Sequence, residues 1–118
     1  MPTYEQIQKR LAMDLQTKRA LIEQGDDEER IHVVEHHFVA SDPSPLEGIA
    51  KIGRMLGFRT SEIRRGDTNS GQPYWYFDLL NEMPTLLNDL ARQSLLMLTF
   101  AEGYGAAYDG WGTNVEKP

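Results

Sequence analysis

Cysteine is absent from this 118-residue chain, which excludes disulfides, thiolate nucleophiles and thiolate metal sites. A cysteine-free chain suits a reducing cytosol, and the cytoplasm is the expected location. No apolar run approaches the ~20 residues that a membrane helix needs. Met1 to Arg10 is polar and of mixed charge, unlike a signal peptide. Positive charge is scarce: 12 Lys and Arg face 18 Asp and Glu, for a net charge of -6. Basic side chains drive nonspecific nucleic-acid binding by neutralising phosphates, so this balance argues against a direct nucleic-acid partner. It favours a basic partner or simply keeps the chain in solution. Internal repeats and low-complexity segments are also missing. Arg64-Arg65-Gly66-Asp67 lacks the strand-to-helix, glycine-rich context of a phosphate cradle. No Ser-His-Asp arrangement can be inferred.

What is present is ordinary globular material, 40% hydrophobic and 25% charged. A chain of this length fits one domain, and folding it buries roughly two-thirds of its unfolded surface. Tyr4, Ile7, Leu11, Leu15 and Ile22 recur at helical spacing, with Lys18 interrupting. They predict an amphipathic helix from about Thr3 to Gln24, stopped at Gly25. Asp26-Asp27-Glu28-Glu29 reads as a solvated linker. Ile31 to Val39 reads as a strand. Ser44-Pro45-Leu46-Glu47 resembles a capping box opening a helix that ends at Gly57. Phe58 to Ile63 is a weaker strand, Arg64 to Pro73 a connecting loop and Tyr74 to Leu79 an aromatic strand. A helix is expected from about Pro84 to Glu102, ended by Gly103, and a last strand from Gly105 to Trp111. The order, a helix followed by β-α-β-β-α-β, is the ferredoxin-like α+β plan. Residues 1–24 are then an added N-terminal amphipathic helix, and 25–118 the ferredoxin-like part of one domain.

Four stretches carry possible chemistry. In Glu35-His36-His37, strand alternation puts Glu35 and His37 on one face and His36 on the other. Val34, His36 and Phe38 then face the helices. A carboxylate and an imidazole so placed bind a metal or move a proton only if neighbouring strands supply more ligands. The plainer reading is a hydrogen bond between Glu35 and His37. In Tyr74-Trp75-Tyr76-Phe77, Tyr74 and Tyr76 share one face and Trp75 and Phe77 the other. Aromatics on central ferredoxin-like strands stack bases in RNA-binding modules, but no glycine-aromatic RNA motif accompanies these. The glycines around Trp111 permit close backbone approach, and Trp111 is either an interface anchor or a core residue beside a bulge. The run Asp26 to Glu29 is a solvated turn or a patch for an Arg-rich partner.

Glu35-His36-His37-Phe38, Leu56-Gly57-Phe58 and Ala107-Tyr108-Asp109-Gly110-Trp111-Gly112-Thr113 together resemble the type B regulators of ribonuclease E activity. The resemblance covers roughly residues 25 to 115, and the last motif is its most specific part. It implies a ferredoxin-like fold and a non-enzymatic role. Family members are protein inhibitors that bind ribonuclease E, chiefly at its Arg-rich C-terminal scaffold, and so alter which transcripts are degraded. Those members end in a long acidic tail, whereas this sequence ends at Pro118, and Arg64 to Gln72 carries no family hallmark. The partner-binding candidates are Asp26, Asp27, Glu28 and Glu29 on charge, and Glu35, His37, Asp109 and Trp111 on the motif matches. No catalytic residue, metal or cofactor is expected. The alternatives are a ferredoxin-like RNA-binding module and a small metal-dependent enzyme around Glu35 and His37.

Overall fold

Thr3 opens the first helix, α1 (Tyr4–Glu23), through a reciprocal capping box with Gln6. The computed structural model describes residues 1–118. After α1 come β1 (His32–Ala40), α2 (Pro43–Met55), β2 (Arg59–Thr60), β3 (Arg64–Asp67), β4 (Pro73–Met83), α3 (Leu87–Tyr104) and β5 (Ala107–Gly112). The sheet runs β2-β4-β1-β5, with β3 also pairing β4. All of its pairings are antiparallel. β2 and β3 thus form one interrupted edge, and the layout is the ferredoxin-like one with an N-terminal helix added.

Several boundaries differ from the sequence reading. Asp42, not Ser44, caps α2, its carboxylate accepting from the Ser44 N–H while Pro43 takes the first helical position. The segment read as a loop contains β3, because the start of β4, Pro73 to Tyr76, offers it a free edge. α3 starts at Leu87 and runs past Gly103 to Gly105, whose φ of 79° ends it in the left-handed region.

The helices lie on one face of the sheet, α3 between α1 and α2. Beneath them sit two apolar clusters. The larger joins Phe38, Phe77 and Leu79 of the sheet to Leu46 and Ile49 of α2 and Met97 of α3. The smaller holds Leu21, Val34, Leu90 and Trp111. Polar residues mark the boundary along the chain: His36 falls between Val34 and Phe38 on β1, and Ser94 between Leu90 and Met97 on α3.

The largest correction concerns α1. Of the sequence stripe, Tyr4, Leu11 and Ile22 are exposed, Tyr4 to 73%, and Ile7 and Leu15 are only half-buried. The buried side is Arg10, Asp14, Lys18 and Leu21. Burying charge is costly unless it is paired, and each of these finds a partner. Arg10 donates from Nε to Asp14 Oδ1 at 3.1 Å and lies over the Tyr108 ring. Lys18 Nζ reaches Glu28 at 2.9 Å and Thr85 Oγ1 at 3.3 Å.

Candidate functional site

The motif strand β5 works mostly inward. Trp111 Nε1 donates to Asp14 Oδ1 at 2.9 Å, which ties α1 to the sheet. The Tyr108 hydroxyl bonds His36 Nδ1 at 2.8 Å, and His36 Nε2 bonds Gln93 Oε1 at 2.6 Å. A Nε2–H imidazole that donates to Gln93 and accepts from Tyr108 satisfies both contacts. Burial pushes the His36 pKa down to about 4 against the pull of the Gln93 bond, so that neutral form holds at neutral pH. Burial likewise raises the Tyr108 phenol. It also raises Asp14, outweighing the nearby Ser94 hydroxyl, Arg10 and Trp111. Ser94 Oγ and Asp14 Oδ2 are buried without closing a well-formed bond to any partner. Gly110 has φ of 89°, and a Cβ there would lie 3.0 Å from the Arg10 guanidinium. Trp111 is therefore an interior residue, as its mean tendency to burial suggests, and its surface offers a partner little.

The acidic linker is also largely engaged internally. The Asp26 carboxylate is fully buried; it accepts from His32 Nε2 at 2.6 Å, from Thr85 and from the Glu116 N–H. Burial works to raise its pKa, but the bonds from Glu116 and His32 outweigh it and hold the carboxyl below its usual value. Both ring nitrogens of His32 face acceptors, the second being the Arg30 carbonyl at 2.6 Å. Asp27 pairs with Arg30 and caps the Glu29 N–H, and Glu28 pairs with Lys18. Glu29 is the exposed member of the run.

The opposite sheet face carries no helix. β1 contributes Val33, Glu35, His37 and Val39 there, and register places His37 across from Asp78 and Val39 across from Tyr76. The expected hydrogen bond between Glu35 and His37 is replaced by one between strands: His37 Nδ1–H donates to Asp78 at 2.7 Å. That bond, together with the charges of Asp78, Glu35 and Asp109, raises the His37 pKa against partial burial. Ligand atoms of Glu35, His37 and Asp78 lie within 4.8 Å of one another. The structure thus brings Glu35, His37 and Asp109 together and adds Asp78. Sequence reasoning did not select Asp78, although the alternation that groups Tyr74 with Tyr76 extends to it.

A sheet sealed on one face by three helices, and bare on the other around an acid–imidazole centre, defines a small ferredoxin-like domain that presents a surface. The family model described as Regulator of ribonuclease activity B matches residues 12–113. The chain belongs to that family, as the motifs in β1 and β5 suggest. The regulator of ribonuclease activity B of Colwellia psychrerythraea is 33% identical over 97 residues, covering 82% of this chain and 84% of that protein. The protein of that name from Escherichia coli is 31% identical over 98 residues, covering 83% and 71%. The one from Haemophilus influenzae is 30% identical over 98 residues, covering 83% and 64%.

Proposed function

We propose that this protein is a non-enzymatic, cytoplasmic regulator that binds ribonuclease E at an Arg-rich C-terminal scaffold and so changes which transcripts are degraded. The observation that carries this reading is the gathering of Glu35, Asp78 and Asp109 around His37 on the uncovered sheet face. Complementary charge steers association and sets orientation. Glu35, His37 and Asp109 are the docking residues in this reading, with Glu29 adding to the field. Trp111 and Asp26 act from behind, by fixing the strands that carry the face. Tyr74 and Tyr76 stand where an RNA-binding module stacks bases, but three neighbouring carboxylates repel a phosphate backbone.

Titration calorimetry of the full chain with the isolated scaffold of its host's ribonuclease E, at two salt concentrations, tests the proposal. Saturable binding that weakens as salt rises is expected. Absence of binding at both concentrations overturns it. One observation favours a second reading: Glu35, His37 and Asp78 offer a nitrogen and two oxygen donors to a divalent transition metal. Stoichiometric metal in protein purified without chelator, lost in His37→Ala, would carry that reading.

A further inference from the structure

Unequal side-chain sizes cut a groove into the open face. On one side β4 raises Tyr74 and Tyr76, rings 5.9 Å apart and tilted by 39°. On the other side β5 puts only Ala107 across from Val39. Val39 floors the trough between them. The resulting cavity has a volume of about 290 Å³ and is closed at one end by His37, Asp78 and Asp109. Toward Ala107 and Gly105 it runs into a second shallow hollow that shares Val39 and Tyr74. The groove is therefore aromatic and aliphatic along its length and anionic at its head.

Apart from His37, whose imidazole pairs with Asp78, no ion pair reaches the head. Asp78 accepts from His37, whereas Asp109 has no ion-pair partner of its own. Arg59 pairs with Glu82; Arg64, which shares a hollow with Tyr76 and Asp78, is 4.0 Å from Glu62; and Lys9 and Arg10 line a separate hollow with Asp109 on the α1 side. Glu35, Asp78 and Asp109 all favour positive charge at His37, so they act on a common space.

We propose that this groove binds one arginine side chain of a basic peptide. Its methylene stem lies on Val39 between Tyr76 and Ala107, and its guanidinium sits between Asp109 and Asp78. The assignment rests on the reading that the protein docks a basic partner, and it names the group recognised. Arginine fits better than lysine. A planar guanidinium stacks on a tyrosine face while its fork of N–H donors meets two carboxylates, and a compact, strongly hydrated ammonium does neither as well.

The test uses the full chain, ¹⁵N-labelled, titrated with an eight-residue Arg-Gly repeat peptide and with its Lys-Gly counterpart. The Arg peptide is expected to shift the amides of Val39, Ala107 and Asp109 and to bind about fivefold more tightly than the Lys peptide. Asp109→Asn, at an exposed position, should weaken the Arg peptide about tenfold. Tyr76→Ala should remove most of the preference for Arg. Equal binding of both peptides, or shifts centred on Asp26 to Glu29, overturns the proposal. The two readings fail separately. A scaffold that binds wild type and Asp109→Asn alike removes the groove and leaves the regulator. An Arg peptide that fills the groove while the scaffold does not bind supports the groove and removes the regulator.

Discussion

Gly110 lacks a side chain for two separate reasons. Its φ is positive, and a Cβ would crowd the Arg10 guanidinium at 3.0 Å. Gly110→Ala is expected to cost about 1–3 kcal/mol, from the backbone conformation alone; a urea unfolding curve measures this. His36 and His37 are sequence neighbours with opposite titration. His36 binds its proton only near pH 4 when folded, whereas the unfolded chain binds it near 6.5. Its contribution is present above pH 6.5 and is lost as pH falls toward 4, a loss of about 3 kcal/mol at 1.36 kcal/mol per unit. His37 is shifted upward, so its contribution is full below pH 6.5 and fades as pH rises through its folded-state value. Urea midpoints between pH 7 and 4.5 should therefore fall for wild type more steeply than for His36→Gln. Asp14 titrates in the opposite sense in both proteins and drops out of the comparison. The opposite orientations of the two histidines were legible from strand alternation alone. Their partners were not, because Asp78, Tyr108 and Gln93 come from three other elements, and only register and packing bring them in.

At the scale of the element, α1 shows where periodicity misleads. Its apolar stripe is regular enough to identify a helix, and the boundaries follow from Thr3 and Gly25. The face turned inward is nevertheless the charged one, because Asp14 has Trp111 to accept from and Lys18 has Glu28 and Thr85. Those partners lie in distant parts of the chain, so nothing local announces them. The linker after α1 follows the same logic: a run that reads as solvated contains a buried carboxylate with three donors. Asp26→Ala leaves His32, Thr85 and the Glu116 N–H without their acceptor and is expected to cost about 1–3 kcal/mol. Glu29→Ala, one turn away and exposed, should change stability by less than about 0.5 kcal/mol. Thermal unfolding of the two variants side by side checks the contrast. If both are neutral, the Asp26 network is not a structural clasp. β3 escaped the sequence reading for a related reason: Arg64 to Asp67 has little strand propensity, and the free edge of β4 at Pro73 to Tyr76 recruits it.

Across the whole molecule, the element order was enough to place α2 and α3 on one side of the sheet, but not α1; the structure packs α1 beside α3, and so the other side stays bare. The acidic balance of the composition then becomes a local property, since much of the negative charge on the linker is matched internally while Glu35 and Asp109 remain on the open face. Partner association should accordingly slow on raising salt, and slow further in a Glu35→Gln, Asp109→Asn double variant; stopped-flow rates measure both. The sheet has another consequence, for how these molecules treat one another. Between Thr60 and Arg64 the pairing with β4 slips by one residue, and β5 carries its own irregularity opposite His36 to Phe38. Each outer border of the sheet is therefore broken, and on one side Arg64, Arg65 and Asp67 line it. A second chain finds no straight run of free amides and carbonyls to extend. Concentrated solutions of the folded protein should thus remain free of strand-stacked assemblies, although one of its sheet faces is left uncovered.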